Sequence, residues 1–130
     1  MNVIQQLNAI LQGLLTNPIV AEYNQDGWEV IKYGNGRCVA TKTTTVTPTT
    51  EGSAVGSIYT GNATTPAPAG VFKEVNAVWA ATTTGDGIWV EPYRITEDAV
   101  NNVWISVLRG AKFVSAQSIP VELRIEGRWK

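Results

Sequence analysis

Apolar residues near the start of the chain fall at Val3, Ile4, Leu7, Ile10, Leu11, Leu14 and Leu15, the 3.6-residue period of one helix face. Asn2 followed by Gln5 matches a capping box, and Pro18 stops the helix near Thr16 or Asn17. The period predicts an isolated helix of about four turns, roughly 20 Å long at 1.5 Å per residue. No charged residue precedes Glu22, so the stripe must be buried, against the chain's own sheet or against copies of itself. Ile4 and Leu11 fit a positions of a heptad, and Leu7 and Leu14 fit d positions. Val3, Ile10 and Leu15 flank that seam and widen it, which suits three or more helices better than two.

From Trp28 onward the pattern is that of strands. Residues 28–33 read as a strand, and Gly34-Asn35-Gly36 supplies the positive φ of a tight hairpin turn. Residues 37–47 return as a second strand, with Cys38, Ala40 and Val46 on one face and Pro48 ending it. Residues 48–70 hold three prolines, four glycines and one charge, Glu51. They predict a short strand at 55–60 and an extended surface loop at 61–70. Strands are expected again at 71–81, 88–95 and 103–108, with Gly85-Asp86-Gly87 as a hairpin turn and Pro92 marking an edge. Residues 97–102 read as a polar loop, and Arg109-Gly110 turns the chain into 111–115. Residues 121–125 alternate apolar with charged. No internal repeat stands out.

Seven or so short strands predict a mainly β fold: an N-terminal α-helix (1–18), then an antiparallel, jelly-roll-like β-sandwich head (19–130). Composition agrees. Only 16% of the 130 residues are charged, against the usual quarter, while fifteen are Thr and five are Trp.

The same composition narrows the chemistry. Without His there is no Ser-His-Asp triad, no Cys-His dyad and no His-ligated metal. One Cys cannot form an internal disulfide or a zinc cluster, and Cys38 reads as a small core residue. A net charge of −1 argues against nucleic acid. The acids are scattered, so no enzyme is expected, and no cofactor or metal. Glu97, Asp98, Asn101 and Asn102 lack the ligand spacing of a calcium loop and read as a solvated turn. No export or membrane segment is visible, so the chain is expected to be made in a cytoplasm and to have no membrane partner. Asn62-Ala63-Thr64, a glycosylation acceptor pattern, has no use there.

Aromatic residues are the more informative signal, because flat rings with polar edges are what sugars stack on. Trp79, Trp89, Tyr93 and Trp104 are expected on central strands, with Asp86 and Arg94 beside them to bond sugar hydroxyls. Trp89 and Tyr93 share a strand face with Glu91 between them, which makes that stripe the preferred surface. Trp28 and Trp129 are assigned to structure.

Two segments resemble tail proteins of phages and prophages of Gram-positive bacteria. Gly27-Trp28-Glu29-Val30-Ile31-Lys32-Tyr33-Gly34-Asn35-Gly36-Arg37-Cys38 is similar to a Trp, a strand ending in Lys/Arg-aromatic, a Gly-containing turn and a short strand with Cys. Ile125-Glu126-Gly127-Arg128-Trp129-Lys130 resembles the Ile-Gly-Arg-Trp-Lys ending of those proteins. Between them, Gly70 stands where the family has Pro, and no Pro follows Val75. The resemblance covers roughly residues 20 to 130. It implies a trimeric, receptor-binding tip domain that recognises cell-surface saccharide. The expected partners are two further copies of the chain, other virion proteins through the helix, and host cell-wall carbohydrate; the expected location is the virion. Phe72, Val75 and Val78 are candidates for the threefold interface. In the family this domain ends a longer protein. A chain starting at Met1 with one short helix is expected to lack the tail-attachment region, which sets a head fibre or capsid decoration protein beside the tail fibre.

Overall fold

The computed structural model describes residues 2–48, 53–84, 87–93, 100–111 and 117–130. Helix α1 (Val3–Thr16) opens with the capping box: the Asn2 side chain accepts from the Gln5 amide at 2.9 Å, and the Gln5 side chain accepts from the Asn2 amide at 3.0 Å. Nine strands are described after it. They are β1 (Ile19–Gln25), β2 (Trp28–Tyr33), β3 (Arg37–Val46), β4 (Ser53–Val55), β5 (Ile58–Pro66), β6 (Glu74–Thr82), β7 (Ile88–Tyr93), β8 (Asn102–Arg109) and β9 (Ile119–Arg128).

Two antiparallel sheets form, in the orders β1-β2-β3-β9-β6 and β4-β5-β8-β7. From β3 the chain alternates between sheets through β5, β6 and β7. The last two strands then fill the gaps, β8 between β5 and β7, and β9 between β3 and β6. That winding is jelly-roll-like and makes a β-sandwich. Inward residues of β9 (Ile119, Val121, Leu123, Ile125) and β8 (Val103, Ile105, Val107) form the centre of the core. Trp28 is fully buried, and its indole N–H donates to the Pro66 carbonyl at 3.0 Å. Burying a ring that size contributes roughly 4–6 kcal/mol at about 25 cal/mol per Å².

Several expectations need correction. The apolar stripe of α1 does not dock on the sheet: Val3, Ile4, Leu7, Ile10 and Leu11 are 46–77% exposed. The Leu14 and Leu15 side chains lie outside the described set. Strand β1 was not expected, because its inward residues Ala21, Tyr23 and Gln25 are only half-buried at the sheet edge. The missed cue is Asp26-Gly27, whose φ values of +52° and +82° make the two-residue hairpin turn into β2. Strand β4 was missed too. Residues 61–70 are not an extended surface loop. Strand β5 continues to Pro66, with Gly61, Ala63 and Thr65 opposite Val107, Ile105 and Val103, and Ala67 and Pro68 are buried. Small inward residues fit there because the facing side chains fill the space, and smallness hides the period of two. Strands β6 and β7 lie in different sheets and so are not the two arms of a hairpin; Gly85 and Asp86, the expected turn, lie outside the described residues. So do 94–99 and 112–116, which take in half of the expected polar loop (97–102) and most of the 111–115 segment; Asn102 already belongs to β8. Phe72 and Val78 are buried, and Val75 packs on the same core, so these three belong to the head's own interior.

Gly127 is the tightest point. It pairs with Cys38 on one side and Val75 on the other, where β6 carries a register shift between Val75 and Ala77. A Cβ added at Gly127 would overlap the Glu74 carbonyl oxygen and lie 2.9 Å from the Val75 Cα. Because both obstacles are backbone, Gly127→Ala is expected to destabilise the head by more than about 3 kcal/mol, or to prevent folding, as read by urea unfolding. Cys38 is buried, and burial pushes its thiol pKa up. The native protein is therefore expected to resist thiol reagents until it unfolds. The unfolded chain loses this proton first as pH rises through about 8.5, so Cys38 lowers stability progressively above that pH.

Candidate functional site

Outward residues of the five-stranded sheet stand in register. Asn24 pairs with Glu29, Glu29 with Thr41, Thr41 with Arg124, and Arg124 with Trp79, so one row crosses all five strands. At a strand spacing of 4.7–4.9 Å the row spans about 19 Å. The next row carries Thr43, Glu122 and Ala81. With Gly27 they line a trough of about 710 Å³ that opens to solvent. Ile19, where the chain enters the sheet from the helix, pairs with Tyr33 at one end. The trough lies toward the other end, beside the Asp26-Gly27 turn.

The trough has one aromatic wall and an ordered cation. Trp79 is 48% exposed, and the Arg124 guanidinium lies 5.4 Å from its ring centroid. Arg124 donates to the Glu126 carboxylate at 2.8 Å, and Arg37 donates to the same oxygen at 2.5 Å. These two hydrogen bonds hold the Glu126 carboxyl below the usual range. Lys42 is also committed: its ammonium donates to the Asp26 carbonyl at 3.0 Å and lies 5.7 Å from the Trp28 ring centroid. Glu29 and Glu122 are exposed and have no hydrogen-bond or ion-pair partner among the described residues.

The opposite face of the sandwich carries the other aromatics. Trp89, Glu91 and Tyr93 of β7 point outward together, paired with Leu108, Ser106 and Trp104 of β8. Trp89 is 57% exposed beside a shallow hollow of about 290 Å³ lined by Ile58, Val90, Glu91 and Leu108. Tyr93 and Trp104 pack on each other, with centroids 5.9 Å apart and planes tilted by 60°.

The sequence-expected site therefore does not assemble in one place. Trp79 stands alone on the five-stranded sheet, and Trp89, Tyr93 and Trp104 lie on the four-stranded one. Trp79, Trp89 and Tyr93 are on edge strands, and only Trp104 is on an interior strand. Asp86 and Arg94 lie outside the described residues. Sequence reasoning missed Asn24, Glu29, Thr41, Glu122 and Arg124. The charged alternation of 121–125 was the available signal, since it puts Glu122 and Arg124 on the face turned away from the core.

The two segments that carry the family resemblance meet in space. The Trp129 amide donates to the Gly36 carbonyl at 3.0 Å, and its indole N–H donates to the Tyr33 carbonyl at 2.9 Å. Lys32 lies between the Tyr23 and Trp129 rings, 5.5 and 5.3 Å from their centroids. These contacts tie the C-terminus to the β2–β3 turn, a structural task.

Among the described residues, no group of three or more His, Cys, Asp or Glu converges as a metal site, and no helix is long and apolar enough to cross a membrane. Comparison with protein families, curated proteins and solved structures finds no match to this chain.

The Arg37–Glu126–Arg124 chain has a defined pH signature. A carboxylate with a depressed folded pKa contributes stability above its unfolded value, about 4.3, and that contribution is lost as pH falls through the folded pKa. Glu126→Gln is expected to lower the melting temperature slightly at pH 7. The gap to the parent protein is small because surface pairs contribute little, and it should close on acid titration below about pH 4 as Glu126 takes up its proton.

Proposed function

We propose that the protein is a phage virion structural component, a fibre-like trimeric head that attaches to host cell-surface saccharide. The observation that carries this reading is α1. A 14-residue helix is marginal alone in water, and this one leaves Val3, Ile4, Leu7, Ile10 and Leu11 exposed. Ile19 and Val20, just beyond it, are also more than half exposed. Three parallel copies would bury the a and d seam together with the flanking Val3 and Ile10, contributing on the order of 5–10 kcal/mol per chain. A threefold axis would then present three copies of each head face, which multiplies weak saccharide contacts into firm attachment. The resemblance of the Gly27–Cys38 and Ile125–Lys130 segments to phage tail proteins points the same way, as does the exposed Trp79.

The same exposed stripe supports a second reading, in which the helix inserts into another virion protein and the head is a capsid fibre or decoration. Light scattering on the full chain separates the two. A mass of three chains is expected, falling to one chain when Leu7 and Leu11 are both changed to Asp, with the head's unfolding unchanged. A monomeric full chain that binds purified capsids, and is not retained by host cells, would replace the first reading with the second.

A further inference from the structure

We infer that the trough on the five-stranded sheet is the saccharide site, and that it takes a chain containing amino sugar, laid across the strands from Asn24 to Trp79. The inference rests on the saccharide-attachment reading and assigns it a place and a ligand chemistry.

Shape separates the two aromatic faces. The trough encloses about 710 Å³, while the hollow beside Trp89 encloses about 290 Å³ and is lined mainly by apolar side chains. Tyr93 and Trp104 occupy part of each other's ring surface. Trp79 keeps one ring face and its indole N–H without a partner among the described residues, with Arg124 over the other face. The ring thus stands fixed as a wall at one end of the row, available to a pyranose face. Thr41 and Thr43 supply hydroxyls along the floor, and Asn24 supplies an amide at the far end. A few placed polar groups beside one aromatic wall suit an oligosaccharide better than an apolar ligand.

Charge selects among saccharides. Four ionised side chains line the trough: Glu29, Glu122, Lys42 and Arg124. Arg124 is paired with Glu126, while Lys42 spends one of its three ammonium hydrogens on the neutral Asp26 carbonyl and keeps its charge. Both carboxylates are uncommitted, and a carboxylate only accepts hydrogen bonds. Sugar hydroxyls satisfy them, and an ammonium group does so with charge-assisted bonds. A uronate or phosphate-bearing chain would set like charges against Glu29 and Glu122.

Calorimetric titration of the full chain with three tetramers tests this: glucosamine, N-acetylglucosamine and galacturonate. The glucosamine tetramer is expected to bind tightest and the galacturonate tetramer not at all. Trp79→Ala should abolish binding. Glu29→Gln and Glu122→Gln, which keep the side-chain shape, should each weaken the glucosamine tetramer tenfold or more and leave the N-acetyl form within threefold. Trp89→Ala should change nothing. Unfolding curves of all four variants confirm that the head stays intact. Loss of binding in Trp89→Ala with Trp79→Ala unaffected overturns the site, and galacturonate binding as tight as glucosamine overturns the ligand class. If no tetramer binds, the inference fails. Retention of the same protein on host cells then leaves the attachment reading standing, and loss of both removes it.

Discussion

Strand β9 is hydrogen-bonded along its whole length to β3 on one side and through most of it to β6 on the other. Its inward residues, Ile119, Val121, Leu123 and Ile125, sit at the centre of the core, and its outward residues, Glu122, Arg124 and Glu126, build the trough and hold it in order. The period of two makes this dual use possible, because one strand presents an apolar face and a charged face at no cost to either. Strand β9 thereby completes the five-stranded sheet: without it β3 keeps only β2 beside it, and β6 has no neighbour in that sheet. Gly127 marks the tightest point of that insertion, where backbone meets backbone.

Closure continues past β9. Trp129 donates both its amide and its indole N–H to the β2–β3 turn region, and Lys32 lies between the Trp129 and Tyr23 rings. The Trp and Gly residues of these two chain segments are thus accounted for by packing and close approach. The proposed saccharide site draws on others: Trp79, Glu29 and Glu122, on positions where the core makes no demand. Arg124 lies between these groups. It reaches Trp79 on one side and Glu126 on the other, so a surface ion pair orders an aromatic wall.

Helix α1 obeys different physics. The head satisfies its own core, with Trp28 and the β8 and β9 side chains inside it. The helix has a good cap and an apolar stripe whose described residues stay 46–77% exposed. Capping and propensity start a helix, and burial of its stripe is what keeps it. That separation, a sandwich with its own core and a helix whose described apolar residues stay exposed, is the physical basis of the proposed fibre reading.

Local signals in the sequence determined a good deal. The helix with its Asn2–Gln5 cap, the strand 28–33 with its glycine turn, the buried Cys38 and Trp28, and the alternation of 121–125 were all legible, because each depends on residues close together in the chain. Asp26-Gly27 is an equally local hairpin signal. Strand β5 was beyond such reading: Gly61, Ala63 and Thr65 are too small to mark an inward face by themselves, and they lie beside Val107, Ile105 and Val103 of β8, whose bulk fills the core there. The destination of α1's stripe was likewise open until the fold left it exposed. The candidate site was the least legible part. Residue types named Trp79, but its neighbours Glu29, Thr41 and Arg124 come from strands far apart in the chain, and they line up only because β9 enters between β3 and β6. Spacing along the chain determines which face a residue takes, and strand order, a property of the whole fold, decides which residues share it.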